Sequence, residues 1–145
     1  MIVIICLIGI LIITINLMIQ AYGNVYWLRN ISASDKNEEL TDGNIMKKLL
    51  FSFLFFSFIH TIHALVWASF YYFIPETGSQ FASFTDTVYF SLVTFTTLGY
   101  GDISLTSDWR LLSGLEAING IMLIGWSTAM MFSLIQIIYQ KLNPN

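Results

Sequence analysis

The sequence predicts an all-α membrane protein, with three spanning helices and, between the second and third, a short re-entrant helix followed by an extended glycine-bearing strip. Three observations carry this reading. Of the 145 residues, 56% are hydrophobic and only 10% are charged, whereas a soluble domain carries about a quarter charged residues. Residues 2–19, 49–73 and 111–139 form apolar stretches of the length a bilayer demands at about 1.5 Å per residue. Finally, the run TFTTLGYGD, Thr94 to Asp102, interrupts the apolar pattern with a stretch poor in packing side chains and rich in backbone.

The first stretch has no charge, and Thr14 and Asn16 are its only strongly polar residues. It lacks a basic leader, and no small-residue cleavage pattern lies near Gln20, Ala21 and Tyr22, so it reads as a retained helix and not a secretory signal. The predicted N-terminal helix covers residues 1–21. A hydrophilic linker over 22–47 mixes Arg29, Lys36 and Lys47 with Asp35, Glu38, Glu39 and Asp42. The second stretch is uncharged and stops at Pro75, with Gly78 and Ser79 making a turn. Residues 86–95 are too few to cross but read as a helix, with Thr85 or Asp86 as its N-cap. The third stretch carries one charge, Glu116. The single cysteine, Cys6, has no internal partner and reads as a buried or lipid-facing thiol.

Basic residues set the expected orientation. Arg29, Lys36, Lys47 and Lys48 lie before the second stretch and Lys141 lies after the third, whereas the loop between these stretches has only Arg110. The positive-inside tendency puts the linker and C-terminus in the cytoplasm, and the N-terminus and the glycine strip outside.

The strip itself needs an explanation. Non-helical backbone is tolerated at membrane depth only where protein shields it or where it lines water or ions. What Thr97 to Asp102 offers is a row of carbonyl oxygens, and Gly99 and Gly101 can adopt the positive φ that turns them toward one axis. A dehydrated cation needs a cage of such oxygens, and one chain supplies too few, so several chains around an axis are required.

Thr97-Leu98-Gly99-Tyr100-Gly101-Asp102 resembles the signature filter of the potassium channel pore-domain family. The resemblance extends from about Lys47 to Lys141, with one extra span in front. It implies a pore-domain (voltage-gated-channel-like) fold over 48–141, with outer helix 48–74, pore helix 85–96, filter 97–102 and inner helix 111–140. It implies a homotetramer in the lipid bilayer of the cell membrane. Potassium ions would be held by the carbonyls of Thr97, Leu98, Gly99 and Tyr100 and the Thr97 hydroxyl, with Gly101 completing the strip. No organic cofactor, nucleic acid or soluble partner is implied. Thr94, Thr96, Asp102 and Glu116 would support the filter. Two departures stand out: Leu98 replaces the usual valine or isoleucine, and Val93 stands where some members carry a glutamate paired to the acid after the filter.

On the inner helix the resemblance puts Gly120 at the hinge, with Gly125 beyond it. These glycines serve either close helix packing or a bend that opens an inner gate. Ile121, Ile124, Thr128 and Phe132 recur at helical spacing and line the cavity and constriction, or else face lipid or the neighbouring helix. Glu116 shares a face with Asn119, Gly120, Leu123 and Ser127 and must be paired, hydrogen-bonded or protonated. Its face leads toward Ser91, Thr94 or the Tyr100 ring, and a mouth-facing acid is the other reading. His60 and His63 are structural hydrogen-bonding groups or proton acceptors, and His63 is placed to reach Glu116. An enzyme is not expected, since phosphate loop, metal cluster and nucleophile–base pair are all missing from the sequence. The remaining alternatives are a less selective cation channel and a non-conducting accessory subunit.

Overall fold

A computed structural model describes residues 1–34 and 41–143. The long helices are α1 (Ile2–Ser34), α2 (Asp42–Phe73) and α5 (Arg110–Leu142). Each is long and apolar enough to cross a membrane. Between α2 and α5 lie a single turn, α3 (Pro75–Gly78), a short helix, α4 (Phe84–Phe95), and the glycine strip.

Two apolar clusters set the topology. Ile5, Ile12, Trp67, Tyr71, Phe90 and Leu112 share one, and Trp27, Ile31, Phe56, Leu134 and Ile138 share the other. The first joins the start of α1 to the end of α2 and the start of α5. The second joins the opposite ends. α1 and α5 therefore run in the same direction and α2 runs against them.

Several predicted boundaries move. α1 does not stop at 21 but continues to Ser34, because its later turns find a surface to pack on. Trp27 and Ile31 are buried, and the Trp27 indole N–H donates to Ser52 Oγ at 2.9 Å. The linker expected over 22–47 is thus helical through Ser34 and again from Asp42, and Asp35, Lys36, Glu38 and Glu39 lie outside the described residues. The N-cap of α4 is Ser83, not Thr85 or Asp86. Ser83 is extended, with φ −154°, and its hydroxyl accepts from the Asp86 backbone N–H at 3.2 Å. Asp86 falls instead in the first turn, where the helix dipole favours an acid.

Between the two apolar clusters is a polar layer. Asn16, Gln20 and Asn24 are spaced four apart on α1 and so share a face. Asn16 Nδ2 donates to Asn119 Oδ1 at 3.0 Å, and Gln20 Nε2 donates to Ser127 Oγ and to Asn24 Oδ1, both at 3.0 Å. His63 Nε2 meets Gln20 Oε1 at 3.0 Å, and Trp67 Nε1 donates to Asn119 Oδ1 at 3.1 Å. Hydrocarbon supplies no partners for polar groups, so the helices supply them to one another. Such interhelical bonds contribute on average about 0.6 kcal/mol each.

α4 sits against α2 and α5 at the end of the bundle that holds the α1 N-terminus. Gly120 makes the close approach possible: a Cβ there would lie 2.8 Å from the carbonyl carbon of Phe95 and 3.2 Å from its Cα. At Gly125 a Cβ would meet nothing within 4 Å. Gly120→Ala is therefore expected to destabilise the fold by roughly 1–3 kcal/mol through overpacking against backbone. Gly125→Ala is expected to be neutral or stabilising by up to about 1 kcal/mol. Thermal unfolding in detergent separates the two: the transition falls for the first variant and holds or rises for the second.

Candidate functional site

The strip grows out of the last turn of α4. Thr96 caps that helix with φ −83° and ψ 0°, and Thr97 then takes φ +60°. A β-branched residue in the left-handed region is strained by roughly 1–2 kcal/mol. Gly99 at φ +56° and Gly101 at φ +76° follow, so every second residue of the strip is left-handed. An ordinary strand points successive N–H groups to opposite edges. Here the N–H groups of Leu98 and Gly99 both donate to the Val93 carbonyl, at 2.9 and 3.3 Å, and that of Thr97 donates to the Thr94 carbonyl at 2.9 Å. The donors turn back onto α4. Among the described residues, the carbonyls of Thr97, Leu98, Gly99 and Tyr100 accept no hydrogen bond, and all four residues are exposed.

Asp102 closes the strip. Its Oδ2 accepts from the Tyr89 hydroxyl at 2.8 Å. That bond to the carboxylate holds the Tyr89 phenol above its ordinary pKa of 10.0, so the proton that makes the tie stays in place across the physiological range. Tyr89 lies one turn before Val93 on α4. The acid after the strip therefore has a phenol partner, although position 93 offers none. Thr96 turns its hydroxyl to the Leu92 carbonyl at 2.6 Å, and Thr94 is half-buried and supports the strip through its backbone carbonyl.

Glu116 is fully buried, which excludes the mouth-facing reading. Its Oε2 accepts from the Tyr71 hydroxyl at 2.8 Å, and its Oε1 is hydrogen-bonded by Ser91 Oγ. Ser91 Oγ also lies 2.7 Å from the Ala64 carbonyl. Of the three directions considered from the sequence, only Ser91 is reached, and neither Thr94 nor Tyr100 is a partner of Glu116. The carboxyl joins α5 to α2 and to α4 two residues before Val93, so its effect on the strip passes through α4.

A model of a family described as ion channel matches residues 1–137. The chain belongs to this ion channel family. Searches of curated proteins and of solved structures found no match. The family match begins at the first residue, so it takes in α1 as well as the part near Lys47 where the sequence resemblance starts.

On α5 of this ion channel the predicted residues divide. Gly120 meets the packing reading, pressed on Phe95, while Gly125 stands in the open. Ile121 and Phe132 lie at the surface of the chain. Ile124 and Thr128, with Phe53, Phe56, His60 and Met131, line a pocket of about 200 Å³ between α5 and α2. His63 does not reach Glu116. Its partner is Gln20, which is closer along the polar layer. The Gln20 amide thus meets Asn24, Ser127 and His63 Nε2 together, each at 3.0 Å. The rings of His60 and His63 are 5.9 Å apart, and each lies 6.0 Å from the ring of Phe95.

Tyr71, Tyr89 and the amides of α1 were not foreseen as site residues. The four-residue spacing of Asn16, Gln20 and Asn24 in an apolar helix was the available signal. Glu116→Gln keeps an acceptor for Tyr71 and gains an N–H for Ser91, so stability should change by less than about 1 kcal/mol. Glu116→Leu leaves the buried Tyr71 hydroxyl unpaired, whereas Ser91 keeps the Ala64 carbonyl, and should cost about 1–3 kcal/mol. Thermal unfolding of the two variants beside the parent tests the pairing.

Proposed function

We propose that this ion channel is potassium-selective and that four copies meet with their strips around a common axis. In this reading α4 is a re-entrant pore helix, residues 97–102 are the filter and α5 lines the inner cavity. The observation that carries it is the sidedness of the strip. Its first three N–H groups, of Thr97, Leu98 and Gly99, turn back onto α4, while the carbonyls of Thr97, Leu98, Gly99 and Tyr100 accept no bond among the described residues and are free to face an ion. One chain supplies one oxygen per level, and four chains supply rings that replace the water around K⁺.

Other features support the same reading. Tyr100 is 67% exposed in the single chain, which leaves its ring free to be covered by a neighbouring copy. The C-terminal end of α4 aims its partial negative charge at the strip, which favours a cation. Ile121, Ile124, Thr128 and Phe132 then line the inner cavity and its constriction, where an apolar ring closes a pore by dewetting. The distribution of Arg29, Lys47, Lys48 and Lys141 favours a cytoplasmic C-terminus and an outward-facing filter.

Flux from reconstituted vesicles tests the proposal. Potassium should pass at least about tenfold faster than sodium. Gly99 sits at φ +56°, a conformation that costs an L-residue roughly 1–2 kcal/mol per chain and whose cost is paid in every copy around the axis. Gly99→Ala should therefore abolish selective flux while leaving the helical content intact. Equal potassium and sodium flux, or flux indifferent to Gly99→Ala, would overturn the reading.

A further inference from the structure

α5 has a weak point. Gly120 is fixed by the backbone of Phe95, but at Gly125 an added Cβ would meet nothing within 4 Å. A helical glycine without neighbours is where backbone freedom is greatest and where helices bend. Even so, α5 runs unbroken from Arg110 to Leu142.

α1 grips α5 on both sides of that point. Before it, Asn16 Nδ2 donates to Asn119 Oδ1 at 3.0 Å, and beyond it Gln20 Nε2 donates to Ser127 Oγ at 3.0 Å. α2 backs both grips. Trp67 donates to Asn119 at 3.1 Å, and His63 meets Gln20 at 3.0 Å. Asn16 and Gln20 are fully buried, and Asn119 and Ser127 are each 4% exposed. These groups are buried, so a bend of α5 at Gly125 that parts them from α1 breaks bonds where an amide or a hydroxyl is costly to leave unpaired.

We infer that α1 is a splint across Gly125, and that Asn16 and Gln20 are positioning residues that hold α5 straight. The consequence for conduction rests on the reading of α5 as the pore-lining helix. There, a straight α5 keeps the inner constriction closed, and α1 sets how often it opens.

The test uses the full chain in vesicles. Gln20→Leu and Ser127→Ala each remove the α1–α5 bond beyond Gly125, the first together with the His63 and Asn24 contacts of Gln20, and potassium flux should rise by about three-fold to twenty-fold in each. The double variant should rise no further than the larger single effect, because both substitutions break the same bond. Gly125→Ala removes the weak point, so on that background Gln20→Leu should change flux by less than about 1.5-fold, whereas a merely loosened bundle would keep its effect there. A second readout does not depend on potassium. With Cys6→Ala and Phe132→Cys in place, the rate of reaction with a water-soluble thiol reagent should rise by a similar factor on Gln20→Leu. If neither the parent chain nor Gln20→Leu carries potassium flux, the potassium-channel reading fails, and the thiol rates alone decide the splint. Flux and thiol rates both unchanged by Gln20→Leu overturn the inference, as does an effect of equal size on the Gly125→Ala background.

Discussion

The carboxyl of Glu116 ties three helices together, and the position of the strip depends on that tie. Tyr71 from α2 and Ser91 from α4 converge on it at a depth with no exposure to solvent. A buried acid in hydrocarbon is tolerated only with such partners. Two residues after Ser91, the Val93 carbonyl takes the N–H groups of Leu98 and Gly99. The order of dependence therefore runs from the acid to the short helix, and from the short helix to the strip. Gly120 belongs to the same arrangement, since a larger residue would push α5 away from Phe95.

The strip is a strained segment held by its surroundings. Thr97 adopts a left-handed conformation that a β-branched residue avoids, and the two glycines that follow adopt it at much lower cost. Two ties hold the segment, one at each end. The last turn of α4 accepts its first N–H groups, and Tyr89 fastens Asp102 beyond it. Its free carbonyls accompany that restraint, because the N–H groups of Thr97, Leu98 and Gly99 are committed to the helix behind.

Much of this was legible in the sequence. The three long helices follow from apolar length alone, and the short helix and strip follow from the break between Pro75 and Asp102. The burial of Glu116 and its contact with Ser91 were legible from the helical face it shares with Gly120 and Ser127. What could not be read was set by tertiary packing. α1 extends to Ser34 because Trp27 and Ile31 find a surface on α2 and α5, and no local signal announces that. Ser83 rather than Thr85 caps α4 because its backbone happens to be extended. Asp102 pairs with Tyr89, a choice made by how α4 is rotated, and His63 meets Gln20 while Tyr71 and Ser91 take the Glu116 carboxyl.

The amides of α1 also bear on how the protein is made. α1 leaves the ribosome before the helices that satisfy it. Asn16, Gln20 and Asn24 project from one face, and in a bilayer that face is poorly soluble until His63, Asn119 and Ser127 arrive. The last two, Asn119 and Ser127, each lie more than a hundred residues downstream of their α1 partners Asn16 and Gln20. Nascent α1 thus carries Asn16 and Gln20 through most of synthesis before their partners on α5 exist.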